Sequence, residues 1–190
     1  MAVRQALNGI LWFTHPQGLP IVSRSGFLWE EMGSFVRKGM FRGATKVTLD
    51  AKGRMAIPVR HRERLAARGD GQVVCTVDPD YCLLLYPLPD WEEIERKIMR
   101  LPSFQPKARR LQRLMVGYAT EIEIDANGRV LLPRELREFA GLEKQAILIG
   151  QGGKLELWDE ARWNSRRDEW LADTGDDGLG LPGDLESLTI

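Results

Sequence analysis

The chain has 190 residues, 43% of them hydrophobic and 28% charged, and its 27 Lys/Arg balance 27 Asp/Glu. That apolar share suits a soluble globular protein of one domain or two small lobes, and no run approaches the roughly 18 apolar residues of a membrane span. Zero net charge would argue against a nucleic-acid partner, but the charge is unevenly placed: residues 40–150 hold 19 Lys/Arg against 15 Asp/Glu, and residues 151–190 hold 4 against 10, so an acidic end masks a basic centre.

Residues 1–39 show no period of 2 or 3.6, and their apolar burst, Ile10 to Phe13, is too short for a signal-peptide core. They read as a disordered extension or the product of an upstream, mis-set start codon, with a functional arm as the alternative. From Thr45 the pattern is β. Thr45 to Leu49 alternates, Asp50-Ala51-Lys52-Gly53 makes a tight turn, and Arg54 to Ile57 returns as a second strand. Pro58 then opens a helix over Val59 to Ala67, since its missing N–H would be unpaired in a first turn anyway. Two strands follow, Gln72–Val77 and Cys82–Tyr86, joined by Asp78-Pro79-Asp80. Cys75 and Cys82 have no accompanying Cys/His pair, so a zinc site is not expected and they read as buried free thiols of a cytosolic protein. Helices are predicted from about Asp90 to Leu101, with Asp90 as N-cap, and from about Lys107 to Tyr118.

The pattern then repeats. LDAKGRMAIP at 49–58 matches IDANGRVLLP at 124–133 at a constant offset of 75 positions, and Leu85-Tyr86 and Trp91 match Leu157-Trp158 and Trp163 at an offset of 72. The second copy has the turn Ala126-Asn127-Gly128-Arg129, a helix Arg134 to Ala140, strands Gln145–Gly150 and Lys154–Trp158, and a helix Glu160 to Leu171 capped by Asp159. Trp163 and Trp170 are expected to face in. One copy alone leaves strand edges and apolar faces exposed; two copies clasped about a pseudo-twofold axis could pair those edges into a barrel. The fold class expected is mainly β with short helices (α+β).

MFRGATKVTLDAKGRMAIPVRHRERL at 40–65, CLLLYPLPDWEEIE at 82–95, RRLQRLMVGYATEIEID at 109–125 and LWDEARW at 157–163 resemble the MraZ family of bacterial transcriptional regulators. The resemblance implies two swapped-hairpin lobes of the AbrB and MazE kind, at 40–118 (with the interlobe helix) and 119–172; residues 173–190, rich in Gly and Asp, read as an acidic flexible tail. It implies sequence-specific binding to double-stranded DNA at direct repeats in the promoter of the division and cell-wall gene cluster, its own included. It also implies a ring-shaped homo-oligomer, associated with the nucleoid, and no cofactor.

At residue level, Arg54 and Arg129 lie just past their turns, and Asp50 and Asp125 lie four positions back, placed to brace the guanidinium; Gly53 and Gly128 shape the turns. A two-stranded ribbon fits a major groove, where arginine matches the O6/N7 edge of guanine. Lys52, Arg60, Arg62, Arg134 and Arg137 flank the tips and are candidates for phosphate contact. By resemblance, Arg62 and Arg137 match the helix-borne arginine that follows the proline. Arg129 is the weaker base reader because Glu121, Glu123 and Glu135 surround it. A structural salt bridge is the competing reading of each Asp–Arg pair. A proton-sharing carboxylate dyad is disfavoured because each Asp faces an Arg that would hold it ionised. A toxin-masking module is disfavoured because the tail after the second copy is short.

Overall fold

The β-branched and alternating segments of the sequence form strands in the computed structural model, which describes residues 39–173 together with the backbone of two short strands near the N-terminus. Those two, β1 (Ala6–Leu7) and β2 (Ile10–Leu11), pair antiparallel with each other. The chain divides at Gly39/Met40 into two units. The remaining expectations for 1–38 and for 174–190 lie outside the described residues.

From Met40 onward the order is β3 (Phe41–Thr48), β4 (Arg54–Ala56), α1 (Val59–Gly69), β5 (Gln72–Val77), β6 (Leu83–Pro87), α2 (Leu88–Met99) and α3 (Pro106–Leu111). Then come β7 (Thr120–Glu123), β8 (Arg129–Leu131), α4 (Arg134–Ala140), β9 (Gln145–Gly152), β10 (Lys154–Asp159) and α5 (Glu160–Asp173). This is a mixed α+β chain dominated by antiparallel sheet. Six strands form one sheet in the order β3-β9-β10-β6-β5-β7, and β4 and β8 form a separate ribbon. No ladder joins β3 to β7 among the described residues, so strand pairing alone does not close the sheet into a barrel.

The two copies are joined strand by strand. β3 of the first pairs with β9 of the second, β5 with β7, β6 with β10, and β4 with β8. The registers are symmetric under the repeat. Met55 faces Val130, its own counterpart, while Arg54 faces Leu131 and Ala56 faces Arg129. Leu84 faces Glu156, again its counterpart, and Gln72↔Glu123 mirrors Thr48↔Gln145. A pseudo-twofold axis therefore passes through both the Met55/Val130 and Leu84/Glu156 pairs.

The central strands β5 and β6 are buried on both faces, which is why they read as nearly unbroken apolar runs. Val73, Cys75, Val77, Leu83 and Leu85 point into the main core with Phe41, Met55, Val130, Leu148 and Leu157. Val74, Cys82, Leu84 and Tyr86 point the other way, under Trp91, Ile98 and Met115. Both cysteines are buried free thiols, and burial pushes Cys75 up to about 12.

Four local expectations change. The turn after Leu49 survives as a single Leu49↔Met55 bridge, but Arg54–Ala56 takes its ladder partner from the other copy rather than from the strand before it. Asp90 is not an N-cap: α2 starts two residues earlier behind Pro87, and Asp90 instead forms an ion pair with the buried Arg68. The helix expected from Lys107 to Tyr118 is α-helical only to Leu111 and continues as a π-helical turn, Gln112–Val116, whose Met115 carbonyl accepts a 2.6 Å hydrogen bond from buried Thr76 Oγ1. Trp163 packs on buried Trp158 as expected, but Trp170, which touches both edge-on, remains 46% exposed. Asp159 does cap its helix, accepting from Arg162 N–H at 3.0 Å.

Candidate nucleic-acid interface

Each repeat motif folds the same way because the aspartate organises its own turn. Asp50 Oδ1 accepts from the backbone N–H groups of Lys52 and Arg54, both at 2.9 Å, and Oδ2 accepts from Arg54 Nε at 2.7 Å. Asp125 Oδ1 accepts from the N–H groups of Asn127 (2.8 Å) and Arg129 (2.9 Å), and Oδ2 from Arg129 Nε at 3.1 Å. Asp50 N–H donates to the Arg54 carbonyl, and Asp125 N–H to that of Arg129. Gly53 (φ +81) and Gly128 (φ +73) occupy the left-handed position such a closure requires. The Arg54 backbone hydrogen bond, joined by those of its side chain and of Lys52, holds the Asp50 carboxyl down at about 2. The Arg129 backbone bond leads the same downward shift at Asp125. Both aspartates are thus fixed as anions, and each arginine is held through Nε.

The ribbon brings the two motifs together. Arg54 and Arg129 stand on its outer face, with side chains 35% and 36% exposed, while Met55 and Val130 are buried beneath. Because Arg54 is paired with Leu131, Arg129 is its diagonal neighbour across the ribbon, a placement that puts Cβ atoms about 7–8 Å apart. The ladder is extended symmetrically at both ends by Ile57 N–H to the Gly128 carbonyl (2.9 Å) and Leu132 N–H to the Gly53 carbonyl (3.0 Å).

Two further arginines cross between copies. Arg137, on α4, lies over the first turn: a Cβ added to Gly53 would sit 2.6 Å from its Nε. Arg62, on α1, lies over the second turn, where a Cβ on Gly128 would sit 2.5 Å from its Cδ and Cζ. Both arginines are partly buried, and Arg137 Nε also donates to the Leu132 carbonyl at 3.2 Å. Lys52 is exposed at the first tip, where the second tip has Asn127.

Arg60 and Arg134 are placed differently from the rest. Arg60 donates to Thr45 on β3 and, through Nε, to His61 Nε2 at 3.3 Å. Arg134 is exposed and paired with Glu138 at 2.6 Å. The structure therefore gathers Arg54, Arg129, Arg62, Arg137 and Lys52 around one ribbon, with Arg60 and Arg134 engaged elsewhere. It also adds two residues that the sequence reading passed over, Leu131 and Ala56, which share the outer face with the arginines. The signal for them was the alternation: they lie two positions from an outward-facing arginine.

Among the described residues no group of three or more His, Cys, Asp or Glu is placed to hold a metal ion, and no helix is long and apolar enough to cross a membrane.

Comparison with known proteins gives a consistent result. The profile of the family described as "MraZ protein, putative antitoxin-like" matches residues 40–114 and again 115–173. The chain is 56% identical over 152 residues to a "Transcriptional regulator MraZ" of Halorhodospira halophila, covering 80% of this chain and 100% of that protein. Proteins of the same name from Alkalilimnicola ehrlichii and Coxiella burnetii are 52% and 49% identical, with the same coverage.

Proposed function

The chain belongs to the MraZ family of transcriptional regulators, and on that footing we propose that it is a sequence-specific DNA-binding repressor. Its targets are the promoter of the division and cell-wall gene cluster and its own promoter, which it binds at repeated sites as a ring-shaped homo-oligomer in the nucleoid. The observation that carries the reading is the pairing of Arg54 and Arg129 as diagonal neighbours on the exposed face of a two-stranded ribbon.

A ribbon of that width enters the major groove. Arg54, pinned through Nε by Asp50, presents its terminal nitrogens to the O6/N7 edge of a guanine, a contact worth roughly 1–3 kcal/mol of discrimination. Arg129 does the same from the other strand of the ribbon. With the two Cβ atoms about 7–8 Å apart and bases spaced about 3.4 Å along a strand, the pair spans about two base steps. Lys52, Arg62 and Arg137 at the turns supply phosphate contacts that set the register. Arg60 and Arg134 are weaker contributors, since each already has a protein partner.

The reading takes residues 40–118 and 119–172 as swapped-hairpin lobes, supported by ladders that run between the copies. Each ring would present one ribbon per subunit, so that repeated sites are engaged together and avidity exceeds single-site affinity by roughly 10²–10⁴.

The test is a titration of operator and scrambled duplexes, at fixed salt, by the full chain and by Arg54→Ala. Loss of the operator preference in Arg54→Ala is expected. A variant that keeps the same operator-to-scramble ratio would show that the Asp50–Arg54 pair is only a turn brace. Light scattering on the full chain should show an assembly well above a dimer; a monomer that binds the operator undiminished would remove the ring.

A further inference from the structure

The outer face of the ribbon carries four residues, and they are not symmetric. Under the pseudo-twofold axis Arg54 and Arg129 exchange, but Leu131 exchanges with Ala56. Leu131 sits directly across from Arg54 and is 57% exposed, while Ala56 sits across from Arg129 with a single methyl. A large apolar side chain placed outward on a short strand, beside two arginines, belongs to neither core cluster of the described residues: the inward positions Met55 and Val130 already fill the core beneath.

We propose that Leu131 is a specificity residue that packs on the 5-methyl group of a thymine beside the guanine read by Arg54. This rests on the DNA-binding reading above. The chemistry fits because the thymine methyl is the one apolar feature of the major-groove edge, and side chains that recognise it do so by apolar contact. Directly opposed residues on an antiparallel ribbon have Cβ atoms about 4.5–5.5 Å apart, close to the spacing of adjacent base edges along a strand, about 3.4 Å. Leu131 and Arg54 therefore address neighbouring bases. On the other half of the face, Ala56 offers a single methyl and so a smaller apolar contact, and the Arg129 side carries the weaker thymine preference. A nearly twofold ribbon thus acquires a direction, and the chain prefers a site with polarity over a palindrome.

The experiment uses the full chain and the operator duplex mapped by footprinting upstream of its own reading frame. Each thymine is replaced in turn by deoxyuridine, which removes only the methyl group. Binding is measured for the unaltered chain, Leu131→Ala and Arg54→Ala. One thymine per repeat should, when replaced, weaken the unaltered chain about fourfold, the factor expected from exposing one buried methyl. Leu131→Ala should lose a similar factor on the thymine operator and show no further loss with deoxyuridine at that position. Because Leu131 is exposed, its melting temperature should be unchanged, which separates recognition from folding. A flat deoxyuridine scan, or a penalty that persists in full in Leu131→Ala, overturns the proposal; if Arg54→Ala still loses operator preference, the DNA-binding reading survives that failure. No operator preference in the unaltered chain would overturn both.

Discussion

Gly128→Ala is the perturbation most directly worked from the geometry. Gly128 has φ +73, and an alanine Cβ there would fall 2.5 Å from Arg62 Cδ and Cζ, closer than side chains approach. Two effects add. Holding an L-residue in the left-handed region costs roughly 1–2 kcal/mol. Moving the Arg62 stem out of its place over the turn forces a strained rotamer or a new one, worth roughly 0.5–1.5 kcal/mol. Gly71 supplies the control: its φ is +80, but nothing lies within 4 Å of its added Cβ, so Gly71→Ala feels only the first effect. In a chain of this length each kcal/mol lowers the melting temperature by about 2–4 °C. Gly128→Ala should therefore melt roughly 1–6 °C below Gly71→Ala, by circular dichroism under identical conditions. The excess should disappear in the double variant Gly128→Ala/Arg62→Ala, because the clash needs both partners. Equal losses for the two glycine variants, with Arg62→Ala simply additive on top, would refute the claim that Arg62 occupies the opposite copy's turn.

Other outcomes follow from the same structure. Arg60→Ala should weaken operator binding by less than about threefold, against the roughly fivefold or greater loss expected for a base-reading arginine such as Arg54, because Arg60 is turned toward Thr45; a loss equal to that of Arg54→Ala in the same titration would contradict this. His61 is fully buried beside Phe41, and burial, with Arg60 and Arg64 nearby, lowers its pKa from 6.5 to about 4. The folded state therefore binds fewer protons than the unfolded one between those values, so stability is fully present above 6.5 and falls as the pH drops toward 4, by on the order of 3 kcal/mol. Urea midpoints at pH 7 and pH 4.5 should show that fall, and His61→Gln should flatten it. Asp50, held at about 2, contributes in the same sense at lower pH: its contribution is present above its unfolded value of 3.8 and is lost as pH falls through about 2. A chain starting at Met40 should match the full chain in melting temperature, assembly size and operator affinity, as the family profile begins there; a substantial drop in any of the three counts against that expectation.

The sequence made the repeat, the turns and most of the strands legible, because those are local matters. The Asp-x-x-Gly-Arg spacing dictates a turn in which the carboxylate accepts two backbone N–H groups, and both turns form as expected. The hairpins β5–β6 and β9–β10 were likewise readable from alternation and turn residues. Partner choice was not. Arg54–Ala56 is a three-residue strand, and nothing in its own pattern says whether it pairs with the strand before it or with Arg129–Leu131, seventy-odd positions away. The site divided along the same line. Charge and position marked Arg60 and Arg62 alike as phosphate candidates, but the rotation of α1 on the sheet decides that Arg62 reaches a turn and Arg60 reaches β3. Leu131 escaped because an apolar residue in a strand reads as core until its facing partner is known.

The interlocked ladders also constrain how the protein comes off the ribosome. Phe41 pairs with Gly152, and every strand of the first copy waits for a strand of the second. While residues up to about 118 have emerged, β3 and β4 have no partner strands to receive them, and only the β5–β6 hairpin can close. Such long-range pairings slow folding, since each loop must be closed before its contacts form. The nascent chain therefore carries open strand edges through most of its synthesis. Its sheet can be completed only after β9 and β10 have been translated.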